Sequence, residues 1–214
     1  MRWYLRYPIS YRNLEGMMIE RGVDVDHTTV YRWVQRYAPE FEKRIRWYTR
    51  VRATSWRVDE TYIKVKGKWK FLYRAVDKHG NTLDFMLFSK RNYASALRFF
   101  RQVLVSTRQA PDKITTDKHS SYNMALNTLK QKGEIRVDLE HRQQKYLNNI
   151  IEQDHRRIKR IVRPMMGFKS FNTAKRTIKG IEAMAMMIKQ QCDMYARTIP
   201  EQVRFVNRLF HIYT

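Results

Sequence analysis

The chain has 214 residues, with 43 Lys and Arg against 20 Asp and Glu, a formal net charge of +23, and 43% hydrophobic and 13% aromatic residues. That apolar content excludes a charge-driven disordered chain, so the excess charge lies on a folded surface whose natural partner is a polyanion, whether the role is enzymatic or histone-like. A single cysteine, Cys192, excludes an internal disulfide and a multi-cysteine zinc site, and no apolar run approaches a membrane span, so a soluble cytoplasmic protein without a membrane or small-molecule partner is expected.

Residues 10–38, "SYRNLEGMMIERGVDVDHTTVYRWVQRYA", read as two short helices broken at Arg21-Gly22-Val23. Ser10 and Asp26 are the expected N-caps, and Val30, Trp33, Val34 and Tyr37 recur at helical spacing. The opposite face of the second helix carries His27, Thr28, Tyr31, Arg32 and Gln35. The pattern fits a helix-turn-helix, in which the start of the second helix meets base edges, and equally an ordinary helical hairpin. On the first reading Thr28, Tyr31 and Arg32 are the candidate DNA contacts.

Pro39 and the charged run "EFEKRIRWYTRVR" mark the passage to a second part. There the apolar period shortens: "SWRVDETYIKV", "WKFLYRAVD" and "TLDFMLFSK" are rich in β-branched and aromatic residues and are separated by turn sequences, which predicts three antiparallel strands. A helix from Tyr93 to Val105, a strand in "PDKITTD", a helix in "SYNMALNTLKQK" and a fifth strand in "IRVDL" follow, and helices over 147–163 and 172–195 close the chain. This is the element order of a ribonuclease H-like α/β fold, a mixed sheet with flanking helices, preceded by a small helical module. The expected organisation is a helix-turn-helix module over 1–45, a linker over 46–54, a catalytic core over 55–165 and a helical segment over 166–214.

In that fold strand ends and a flanking helix meet at one sheet edge, and phosphodiester cleavage with divalent ions calls there for hard anionic oxygen ligands. Asp59 in the first strand, Asp117 at the end of the fourth and Glu152 on a later helix are placed for this. Glu60, Asp77, Asp84, Asp112, Asp138 and Asp154 compete on position alone. Because side chains alternate across a strand, Asp59 and Glu60 are expected on opposite faces with only one joining a given site, and parity does not settle which. On the helix, Leu147, Ile151, Ile158 and Ile161 form an apolar stripe, while Asn148, Glu152, His155, Arg156 and Lys159 share another face. Asp154 falls within the stripe and is expected to be a buried structural acid paired with an Arg. Trp56, Trp69, Tyr62 and Tyr73 are expected as strand packing, and His119 and His155 as neighbours of the site rather than ligands.

The segments "WRVDETYIKVKGKWKFLYRAVD", "TTDKHSSY" and "YLNNIIEQDHRRIKR...GFKSF" resemble the bacterial insertion-sequence transposases of the IS-six family, members of the DDE group. Between Asp117 and Glu152 lie 34 residues (152 − 117 − 1), and Lys159 follows Glu152 by seven, both as in that family. The resemblance implies that Asp59, Asp117 and Glu152 are the catalytic and metal-holding triad, that Mg²⁺ (with Mn²⁺ as substitute) binds as two ions, and that Arg156 and Lys159 meet DNA phosphate. It further implies binding to the element's inverted repeats and to target double-stranded DNA by a homo-oligomer in a synaptic complex. Family members begin with a further helical segment ahead of "RWYLRYPIS", so the helix-turn-helix is expected to be N-terminally shortened here. The rival readings are a structure-selective nuclease of the same fold and a helix-turn-helix regulator whose second domain only dimerises.

Overall fold

The computed structural model describes residues 1–49, 53–144, 149–192 and 196–212, with only the backbone of Asn149. Leu147 and Asn148 of the expected helical faces lie outside the described residues. Two compact units are present, Val51–Arg157 and a second made of Met1–Arg50 with Ile158–Thr214.

The first unit is built on a five-stranded sheet. Strands β1 (Ser55–Val65), β2 (Lys68–Asp77) and β3 (Thr82–Phe88) form an antiparallel meander. Lys66 and Gly67 both take positive φ, 50° and 73°, as a two-residue hairpin that matches strand twist requires. At the second turn the Asp77 carboxylate accepts from the backbone N–H groups of His79 and Asn81 at 2.8 Å each. The chain then forms α4 (Tyr93–Thr107), β4 (Lys113–Thr116), α5 (Ser120–Gln131) and β5 (Glu140–Gln143). Strands β4 and β5 run parallel to β1, giving the order β3-β2-β1-β4-β5, which is the ribonuclease H-like arrangement.

One sheet face is covered by α4 and α5: Trp56, Val58, Tyr73 and Ala75 pack in one cluster with Phe99, Phe100, Val103, Tyr122, Leu126 and Leu129. Towards the other face, α6 (Asn149–Val162) brings Asp154, paired at 2.8 Å with the fully buried Arg74 of β2. This is the structural role expected of Asp154. The fifth strand differs from expectation. Ile135 and Leu139 of "IRVDL" are buried in the core cluster, and the polar residues after them pair with β4. A short edge strand is held by backbone bonds and needs no apolar alternation, so periodicity missed it. Trp56 and Tyr73 are core residues as expected, whereas Tyr62 and Trp69 are 45% and 60% exposed and meet edge to face.

The second unit is helical. It contains α1 (Arg2–Arg6), α2 (Tyr11–Ile19), α3 (His27–Arg46), α7 (Phe171–Ile188) and α8 (Ile199–Leu209), together with the end of α6 and a 3₁₀ turn at Arg163–Met165. Ser10 and Asp26 cap α2 and α3 as expected, and Gly22 between them has φ 72°. Pro39 does not end α3, which continues to Arg46. Its apolar face of Val30, Val34, Ala38, Phe41 and Ile45 is buried, and α3 packs along α7. This packing offsets the hydrogen bond that an interior proline removes. At the crossing Gly180 replaces a side chain: a Cβ there would lie 2.6 Å from Ala38 Cβ and 2.8 Å from Leu5 Cδ1. Helix α7 stops at Ile188, short of the expected 195, with Gln190 in the left-handed region; residues 193–195 lie outside the described residues. The expected 1–45 module and 166–214 segment thus fall in one unit, and the α/β unit ends inside α6 at Arg157 rather than at 165. No helix among the described residues is long and apolar enough to cross a membrane.

Candidate active site

Strand β4 pairs with β1 in parallel over only three residues, in a register that sets residue i of β1 beside residue i + 58 of β4 (Ser55 with Lys113, Arg57 with Thr115). Continued by two residues, that register puts Asp117 beside Asp59. The strand ends at Thr116, so no β4 pairing continues along β1 beyond Arg57, and carboxylates can converge there. They do: Asp59, Glu60 and Asp117 each bring an oxygen within 4.8 Å of the others.

The convergence corrects the expectation that only one of Asp59 and Glu60 joins the site. Their Cβ atoms do leave opposite faces, since Asp59 Oδ2 lies 3.9 Å from His155 Nδ1 of α6 whereas Glu60 reaches Tyr122 of α5. The longer Glu60 side chain returns to the same edge, where the Arg91 guanidinium bridges it to Asp117, with Nη2 2.5 Å from Asp117 Oδ2. Asp117 is fixed further by the backbone N–H of His119, which donates to Oδ1 at 2.9 Å, and by Thr116 Oγ1, which donates to its carbonyl at 2.7 Å. His119 itself caps α5 through Ser121.

Electrostatics separates the acids. Burial first, then the neighbouring Glu60 carboxylate, pushes the Asp59 carboxyl up to about 7. Glu60 is also raised by burial, against which the Tyr122 hydroxyl and Arg91 favour its charged form. The Tyr122 phenol is pushed well above its ordinary range by complete burial beside Glu60. Arg91 pairs with Glu60 and Asp117, and Asp59 is left with the weakest compensation of the cluster. A hard-oxygen site with an under-compensated carboxylate fits a divalent cation held by Asp59 and Asp117. Glu60 Oε1 and Oε2 are engaged by Arg91 and Tyr122, respectively.

Glu152 is exposed and stands outside the converged acids. It precedes by three residues the His155 that approaches Asp59, so it occupies the α6 face turned to that edge, and helical side chains lean towards the N-terminus. Arg156 and Lys159 are exposed further along α6. Sequence reasoning missed Arg91 and Tyr122. Arg91 lies in a turn before α4 and nothing local distinguishes it among 43 basic residues. Tyr122 stands two residues into α5, at a spacing that reads only as core. In the helical unit, Thr28 and Tyr31 line a concavity facing residues 164–177, while Arg32 is exposed outside it.

A family model described as a DDE domain matches residues 53–191. The chain is 45% identical over 188 residues, 88% of its own length and 82% of the relative's, to the transposase for insertion sequence-like element IS431mec of Staphylococcus aureus strain Mu50. It is 44% identical over the same span to the transposase for insertion sequence element IS257 in transposon Tn4003 of the same species.

The chain belongs to the DDE transposases of the IS-six insertion-sequence family.

Among solved structures, the catalytic core domain of BIV integrase is similar over 76% of this transposase chain and 100% of that chain, with a TM-score of 0.47 and 13% identity. The HTLV-2 integrase catalytic core domain in complex with magnesium is similar over 60% of this chain and 83% of that one, with a TM-score of 0.46 and 14% identity. The family assignment makes the transposase an enzyme and sets aside a purely regulatory helix-turn-helix protein.

Proposed function

We propose that this transposase cuts DNA strands at the ends of its insertion sequence and joins the freed 3′ hydroxyls to target DNA, using Asp59, Asp117 and Glu152 with divalent metal. The observation that carries the reading is the side-by-side arrival of Asp59 and Asp117 at the edge where β4 stops, with the Glu152-bearing face of α6 turned to it. Asp59 and Asp117 would hold Mg²⁺ or Mn²⁺, and Glu152 would complete a two-ion site. Such ions supply Lewis acidity at a scissile phosphodiester and lower the pKa of the attacking water or hydroxyl. The protein's own part is to bring the acids together, to fix Asp117 through Arg91 and the His119 amide, and to keep Asp59 short of a counter-charge.

Specific contact with the inverted repeats is assigned to Thr28, Tyr31 and Arg32, and phosphate contact to Arg156 and Lys159. The net charge of +23 supplies the salt-sensitive affinity for any duplex, target DNA included. Two ends must be held together for joining, so the working form is a homo-oligomer in a synaptic complex, in the cytoplasm of a bacterium. The deciding test is Asp117→Asn, which keeps the volume and removes the charge. Divalent-metal-dependent strand transfer should be lost while folding and DNA binding persist, and joining at the wild-type rate would remove Asp117 from the role.

A further inference from the structure

The helical unit contains a concavity of about 570 Å³ at the start of α3, within the range of sites that enclose small ligands. Its walls come from α2 and α3 on one side and from the turn after α6 and the start of α7 on the other. The lining combines aromatic rings, cations and an amide. Tyr11 is stacked on Tyr4 at 3.9 Å and meets Tyr31 edge to face at 5.7 Å, and Tyr31 keeps 38% of its surface exposed at the opening. Phe168 contributes a further ring, and Arg12 and Lys169 are exposed on the lining. Gln35 donates from Nε2 to Thr177 Oγ1 at 2.9 Å, while its Oε1 is buried without a hydrogen-bond partner. A buried acceptor left unmatched is costly and asks for a donor.

Shape decides what that donor belongs to. A helix that reads a duplex presents a convex surface to the major groove. Here Thr28, Tyr31 and Gln35 of α3 instead face a hollow closed on its far side by residues 164–177. A stacked base pair with both its strands does not fit such a hollow, whereas one unstacked nucleotide does. Aromatic faces bind unstacked bases, an amide oxygen accepts from an exocyclic amino group, and cations at the rim meet the flanking phosphates.

We infer that this concavity binds a single extrahelical DNA base bearing an exocyclic amino group, adenine or cytosine, with Gln35 as the acceptor and Tyr31 and Phe168 as stacking surfaces. The inference rests on the chain acting on DNA as proposed above, and the test separates the two. Affinities of the full chain are measured by fluorescence anisotropy for three duplexes of one sequence: fully paired, with a single bulged adenine, and with a bulged abasic site. The adenine bulge should bind on the order of tenfold tighter than either of the others. Equal affinity for adenine and abasic bulges would overturn the inference while leaving the transposase reading intact, and failure to bind any duplex would overturn both. Gln35→Leu, checked for an unchanged melting temperature, should abolish the adenine preference without altering affinity for the paired duplex, and a preference that survives places the base elsewhere. Should the variant not fold, a bulged 5-iodocytosine photo-crosslinked to the unaltered chain gives the same decision. Label on the peptides holding Tyr31 or Phe168 supports the site, and label confined to other peptides refutes it.

Discussion

Glu152 and Asp154 stand two residues apart on one helix, and their surroundings predict opposite consequences for the same chemical change. Asp154 has a side chain 8% exposed and pairs at 2.8 Å with Arg74, itself 1% exposed. Asp154→Asn keeps the shape but takes the carboxylate from a buried guanidinium, a loss worth about 3–5 kcal/mol. For an α/β unit of roughly 100 residues, 1 kcal/mol corresponds to at least about 4 °C in melting temperature, so a fall of about 12 °C or more is expected. Glu152 is exposed on α6, so Glu152→Gln should change stability by less than about 0.5 kcal/mol. Activity should follow the reverse order. Differential scanning calorimetry and a strand-transfer assay, run below the melting range of both variants, place each protein on the two axes. An Asp154→Asn protein that melts within a few degrees of wild type would refute the buried-pair argument. Joining by Glu152→Gln at the wild-type rate would refute the catalytic assignment on that helix.

The Asp59 carboxyl, raised to about 7 where the unfolded value is 3.8, makes the folded state keep a proton that the unfolded chain releases. Its contribution to stability therefore falls as pH rises from about 4 to about 7 and is level above that. Metal must displace the same proton, so the apparent Mn²⁺ affinity, measured by calorimetric titration, should weaken about tenfold per pH unit below 7 and flatten above it; a flat profile from pH 5.5 to 8 contradicts this. Arg91→Gln should lower the metal-free melting temperature by removing the cation shared by Glu60 and Asp117, and Mg²⁺ should restore part of the loss. A deficit of equal size with and without Mg²⁺ would show that guanidinium and metal do not serve the same charges. Gly180→Val should cost several kcal/mol, because even a Cβ would lie 2.6 Å from Ala38 Cβ; a denaturant midpoint unchanged from wild type would refute that close approach.

The strands and most helices were legible because alternation and helical spacing depend on the burial of a single face, and the Ser10 and Asp26 caps were legible because a short polar side chain before an apolar period has few other uses. Helix α8 was missed although Thr198 and Glu201 form a capping box, a local signal that stands in the sequence. Pro39 was read as a boundary because the packing of α3 along α7 is invisible locally. At the site, Asp59 and Asp117 could be placed from strand positions and from family resemblance. Glu60 could not, since parity describes where a side chain leaves the backbone and not where a long one ends. Arg91 and Tyr122 come from elements distant in sequence, and only the folded edge brings them to the acids.

The α/β unit is an insertion, in chain order, between the two segments that make the helical unit. On the ribosome the acid-bearing sheet can therefore close while α3 still waits for α7, with its buried face of Val30, Val34, Ala38, Phe41 and Ile45 uncovered. The concavity at the start of α3 also lacks one wall until residues 164–177 have emerged. A nascent chain of this transposase thus acquires its cutting edge before its finished DNA-reading surface, and a product cut short after the sheet would carry the first without the second.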